Sequence, residues 1–190
     1  MTFTSIPKSQ LNLSIINAFV DSGWKGSWTM DDSSIFIHMG KSLSLEQHII
    51  KNGHIEYHPA LRLAFCLGLQ IAVLESLNIG ILCLNPTDII VLDENWYILK
   101  HTAQIFDMKN LNMIVNKPPQ LNKFCAPEIN AITSLPAQIY YTSAYYSLAL
   151  VCIHALDIDP NLYSIFESPL YFIIERCLES NPKDRIFLFI

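Results

Sequence analysis

Apolar residues recur at Leu11, Ile15, Ile16 and Phe19, one face of a helix, and Asp21-Ser22-Gly23 ends the pattern, so a helix is predicted over Leu11 to Val20. Trp24 to Met30 and Ile35 to Met39 flank the polar run Asp31-Asp32-Ser33-Ser34 and read as two strands around a turn. From Leu61 to Leu77 the chain is apolar on nearly every face, with Arg62, Gln70 and Glu75 as the main exceptions, which predicts a helix buried all round. Tyr145 to Leu156 reads as a second buried helix. Ile89-Ile90-Val91-Leu92 and Trp96-Tyr97-Ile98-Leu99, joined by Asp93-Glu94-Asn95, make a hairpin. Residues 107 to 123, rich in Asn and Lys with Pro118-Pro119, predict a surface loop. Met1 to Gln10 is polar and contains Pro7. It predicts no strand, and Lys8 reads as a solvated terminal residue.

Composition narrows the class. The chain has 190 residues, 51% of them hydrophobic and 15% charged, which suits one globular domain spanning 1–190 and excludes a disordered chain. Its net charge of −5 and pI near 5.6 leave no basic stripe for nucleic acid. The apolar runs Leu63 to Leu74 and Tyr145 to Leu156 fall short of the ~20 residues that span a bilayer, so no membrane partner is expected. Five scattered cysteines, Cys66, Cys83, Cys125, Cys152 and Cys177, lie mostly in apolar segments and read as reduced core thiols of a cytoplasmic, reducing compartment.

Isolated candidates for chemistry are weak. His54 and His58 with Glu56 between them have a metal-like spacing, but Gly53 and Pro59 point to a loop and no third ligand is close in sequence. Cys83 lies between Leu82 and Leu84, with no base or cation to activate it, and reads as an inert buried thiol. No metal site is expected.

A set of motifs in order says more. Ile81-Leu82-Cys83-Leu84-Asn85-Pro86-Thr87-Asp88-Ile89-Ile90 resembles a protein kinase catalytic loop in which the scaffold residues stay and the reactive ones have changed. Lys123-Phe124-Cys125-Ala126-Pro127-Glu128 is similar to the end of an activation segment. Tyr145-Tyr146-Ser147-Leu148-Ala149 resembles the helix that follows it, and Arg176 to Arg185 resembles the penultimate helix and its closing Arg. Ile35 to Met39, Gly40 and Leu43 to Ile49 look like the hinge strand and the helix after it. The resemblance spans roughly residues 30 to 187.

It implies an α+β, mainly helical fold: a protein kinase-like C-terminal lobe over 40–190, with 11–39 a remnant of the N-terminal lobe. On this alignment the catalytic Asp, the Lys and the metal-binding Asn fall on Cys83, Asn85 and Asp88. The metal-binding Asp of the next motif falls on His101 or Thr102. Asp107 lies too far along to replace it. The glycine-rich loop and strand Lys are missing from the residues before Leu11. Ala144 stands where the family has a buried Asp that holds the catalytic loop, while Glu128 and Arg185 keep the family's buried ion pair.

The resemblance therefore implies no catalytic residue, no cofactor and no bound nucleotide. The expected role is a regulatory or protein-binding pseudokinase, with Asp107 to Lys123 as contact loop. The alternatives are a weak or atypical serine/threonine kinase and a structural component of a larger assembly such as a viral particle.

Overall fold

The computed structural model describes residues 2–39, 42–93, 95–100 and 104–190, and its class is α+β, with short antiparallel sheets set around helices. Strand β1 (Thr2–Pro7) leads into helix α1 (Gln10–Asp21), whose Ser9 side chain caps it by accepting the Asn12 N–H at 3.1 Å. β2 (Trp28–Met30) and β3 (Ser34–Met39) follow, and all three strands form one sheet in the order β1-β3-β2. The turn between β2 and β3 is closed by Asp31, whose carboxylate accepts the N–H groups of Ser33 and Ser34 at 2.8 and 2.7 Å.

β1 corrects the expectation of a strandless start. Ile6 pairs with Ile35 and Pro7 with Ser34, and Lys8, beyond the last pair, donates its Nζ to Asp31 O at 3.0 Å. The strand exists because the buried face of β3, Ile35 and Ile37, needs a partner along its second edge.

β4 (Ser42–Ser44) runs into α2 (Leu45–Asn52) through a capping box in which Ser44 Oγ accepts the Gln47 N–H and Gln47 Oε1 accepts the Ser44 N–H. α3 (Tyr57–Ser76) is the central helix. It begins before the predicted start, and His58 and Pro59 lie in its first turn rather than in a loop. Proline is tolerated there because first-turn N–H groups have no partner within the helix.

Nine of its residues are buried, among them Leu63, Leu67, Ile71 and Leu74, while Arg62 and Ser76 face outward, so burial is one-sided rather than complete. At 20 residues it is the one described helix long and apolar enough to cross a bilayer, which corrects the shorter estimate from its apolar run; half of its most apolar window is buried inside the fold. Gln70, fully buried, donates to Cys66 O and to Tyr97 O and accepts the Leu99 N–H at 2.9 Å, which satisfies its amide and pins the helix to a strand.

β5 (Ile79–Ile81) is followed by the hairpin β6 (Ile89–Leu92) and β7 (Trp96–Leu99), which joins β4 in the order β4-β6-β7. β8 (Ile105–Lys109) and β9 (Asn112–Val115) then form a second hairpin, with Met108 opposite Met113. The predicted surface loop over 107–123 thus begins as a hairpin, with strand over 107–109 and 112–115. β8 and β9 continue into a four-stranded sheet, β10-β9-β8-β5, with β10 (Ala137–Tyr140) at its edge.

The remaining helices are short α4 (Pro127–Asn130), buried α5 (Ser143–Leu156) and α6 (Pro169–Cys177). One buried apolar cluster runs from Ile6 to Phe187, and α3 and α5 pack against each other within it.

Candidate functional site

The stretch after β5 is held by hydrogen bonds to its backbone. Leu82 N–H donates to Gln104 O at 2.9 Å, and Leu84 N–H donates to the side chain of Ser147, on α5, at 2.8 Å. Asn85 Oδ1 accepts the Thr87 N–H and starts a 3-10 turn over Pro86–Asp88. Asp88 lies at the end of that turn. Its carbonyl accepts the Lys100 N–H at 2.7 Å, while Lys100 Nζ reaches Thr87 O at 2.8 Å. Cys83 is 1% exposed; Asn85 and Asp88 are half-buried on the rim.

Ala144 is fully buried at the start of α5 and offers no polar side chain. Ser147, three residues on and so on the same helix face, accepts the Leu84 amide instead. A hydroxyl can do this without a buried charge, which would cost several kcal/mol if left unpaired.

Glu128 and Arg185 meet. Arg185 Nη1 and Nη2 donate to Glu128 Oε1 and Oε2 at 2.6 and 3.0 Å, a bidentate pair. The guanidinium is completed by Nε to Glu179 O at 2.8 Å and lies 4.7 Å from the centre of the Tyr146 ring. Arg185 is only 2% exposed, so it is a buried charge fully dressed by partners. The pair ties α4 to the 3-10 turn at Pro182–Asp184.

His101, Thr102 and Ala103 lie outside the described residues, as does Gly40. Gln104, the next described residue, clamps a later segment: its Nε2 donates to Gln120 O at 2.7 Å and its Oε1 accepts the Gln120 N–H at 2.9 Å. Asp107 lies exposed in β8, paired with Ile79. His54 and His58 are both exposed, and among the described residues no three His, Cys, Asp or Glu side chains group as a metal site. A cavity of about 440 Å³ opens beside β4 and α2, lined by His48, Lys51, His54 and Glu56 among others, but not by Cys83, Asn85 or Asp88.

Three residues to which the sequence reading gave no role at this loop complete the site. Besides Ser147, Asn122 and Cys125 sit against Cys83. Cys83 Sγ lies 3.4 Å from Asn122 Oδ1, and the Asn122 N–H donates to Cys125 Sγ at 3.4 Å. The neighbouring Cys83 thiol, and with it the Asn122 N–H, holds Cys125 below the usual thiol value despite its burial. The Cys125 thiol, together with burial, pushes Cys83 up. Cys83 is therefore a poor nucleophile. The one sequence signal for Cys125 was its place directly before Ala126-Pro127-Glu128.

No protein-family model and no curated protein matches this chain.

Proposed function

We propose that this chain is a kinase-like lobe reduced to a protein-binding module. The observation that carries the reading is the contrast between two places in the same fold. Glu128 and Arg185 retain a complete, buried, bidentate ion pair after the Ala-Pro-Glu motif. The loop from Cys83 to Asp88 has a buried thiol where the kinase family needs a carboxylate, and its backbone rests on the Ser147 hydroxyl. Phosphoryl transfer depends on metal-bound phosphates and a positioned acceptor hydroxyl, so a lobe that keeps its anchor and lacks these groups serves through its surface.

The surface best suited to a partner is the β8–β9 hairpin and the segment after it. Leu111, at the hairpin tip, is 54% exposed and Leu121 is 57% exposed. Apolar side chains raised on a hairpin and a following loop, above a rigid sheet, suit recognition of another protein. The test is affinity isolation from the native source with the wild-type chain and with a Leu111→Asp, Leu121→Asp variant whose fold is verified by circular dichroism. A partner held in constant ratio by the wild type and lost from the variant supports the module and its contact surface. Equal retention by both refutes the surface, and recovery of no stoichiometric partner refutes the module.

A further inference from the structure

Aromatic side chains crowd an outward face around the start of α6 that the proposed hairpin surface does not use. The residues before α6 form a 3-10 turn over Tyr163–Ile165, in which side chains three apart line up on one side. Leu162 and Ile165 turn inward and are buried, so Tyr163 and Phe166 are carried outward, 81% and 57% exposed. In α6, Leu170, Ile173, Ile174 and Cys177 face the core at helical spacing, which leaves Tyr171, Phe172 and Glu175 pointing away from it. The rings touch in series. Phe166 meets Tyr171 edge to face with centroids 5.1 Å apart, and Tyr171 meets Phe172 in the same way at 5.3 Å.

Two carboxylates frame the rings. Glu167 follows Phe166 directly and is exposed, and Glu175 accepts the Tyr171 hydroxyl at 3.1 Å. From Ala155 to Glu175 the sequence has four acids, Asp157, Asp159, Glu167 and Glu175, and no Lys, Arg or His. The next cation, Arg176, lies 3.9 Å from Glu179, and among the described residues no ion pair engages Glu167 or Glu175.

We propose that this face binds an arginine-bearing segment of a partner protein. A guanidinium is flat and charged, so it stacks on an aromatic face and pairs with a carboxylate at the same time. A lysine ammonium is a compact, strongly hydrated point charge and meets only part of that demand. An apolar segment would desolvate the two carboxylates without pairing them, and an acidic one would be repelled. The site lies on α6 and the turn before it, and so it does not depend on the β8–β9 surface.

Fluorescence anisotropy of a labelled peptide of alternating arginine and glycine, titrated with the full chain, reads the interaction. Two further peptides of equal length carry lysine or citrulline in place of arginine; citrulline keeps the planar group and loses the charge. The arginine peptide is expected to bind saturably, the lysine peptide more weakly and the citrulline peptide not at all. Tyr163→Ala and Phe166→Ala, both at exposed positions, should each weaken binding about 3- to 30-fold, the range of a cation–π contact. Glu167→Gln combined with Glu175→Gln should weaken it and flatten its salt dependence, while the amide oxygen at 175 still accepts the Tyr171 hydroxyl. The Leu111→Asp, Leu121→Asp variant should bind the peptide as the wild type does, which separates a failure at this face from a failure of the hairpin surface. Should a ring variant not fold, hydrogen exchange of the wild type replaces it, with protection expected over 163–176 when the arginine peptide is present. Absence of binding, equal affinity for the arginine and lysine peptides, an affinity unchanged by both ring substitutions, loss of binding in the hairpin variant, or protection confined to other segments overturns the proposal.

Discussion

Removing either member of the Glu128–Arg185 pair should cost far more than a surface ion pair does, and the two costs should not add. Glu128→Ala strands a guanidinium that is 2% exposed, although Glu179 O, Ser180 O and the face of Tyr146 still receive it. Arg185→Ala strands a carboxylate whose side chain is 21% exposed and can recruit water, but it also leaves a void beside Tyr146 and frees two backbone carbonyls. Each single change is therefore expected to cost roughly 3–5 kcal/mol, the range for breaking a buried pair. The double change strands neither charge. It should cost less than the sum of the two by about 2 kcal/mol, within the usual range for residues in contact. Urea denaturation of the four proteins, with unchanged slopes as the check on two-state unfolding, measures this coupling. Additivity to within about 0.5 kcal/mol would show that the pair does not hold α4 to the 182–184 turn in solution.

Glu75 provides a pH test. Burial raises its carboxyl to about 7, partly offset by the Tyr145 hydroxyl that donates to Oε2 at 3.0 Å, and Oε1 has no partner among the described residues. Because the folded value lies above the ordinary one, its contribution is fully present below about pH 4.5, is lost as pH rises towards 7 and is level above that, an effect of at most about 3 kcal/mol before solvent screening. Glu75→Gln should flatten that part of the stability–pH curve; an unchanged curve would contradict the burial. Ser147→Ala should leave the Leu84 N–H without an acceptor and destabilise the fold by about 1–3 kcal/mol, with faster hydrogen exchange at Leu84; unchanged protection there would rule out the hydroxyl as its partner. Cys83→Asp should yield no phosphotransfer to a generic protein substrate and should lower the melting temperature, since the carboxylate would sit among Leu82, Leu84 and Ser147; radiolabel transfer above the wild-type blank would refute the reading of the loop.

Helices were legible where the apolar period was strong. The hairpin of β6 and β7 was legible because short apolar runs flank a polar turn. The β8–β9 hairpin was hidden by its turn: Asn110 and Leu111 both have positive φ, 51° and 63°, and leucine is not a residue that announces a left-handed turn. β1 was hidden for another reason, since its stability comes from pairing with β3 and not from its own residues.

At the site, positions such as Cys83, Ala144, Glu128 and Arg185 could be named from motif order. The roles of Ser147, Asn122 and Gln104 could not, because each acts through a contact with a residue far away in the chain, and the motif that contains Cys125 gave no sign of its contact with Asn122. The polar side chain that supports Leu84 is that of Ser147, one helical turn along α5 from the apolar Ala144.

The central claim is that this lobe works without nucleotide, and thermal unfolding with and without magnesium ATP tests it most directly. A ligand that binds the folded chain at 100 times its dissociation constant adds about 2.7 kcal/mol, readily seen as a rise in melting temperature. The account predicts the same melting temperature at millimolar magnesium ATP as in its absence, and a magnesium-dependent rise that saturates with ATP would contradict it.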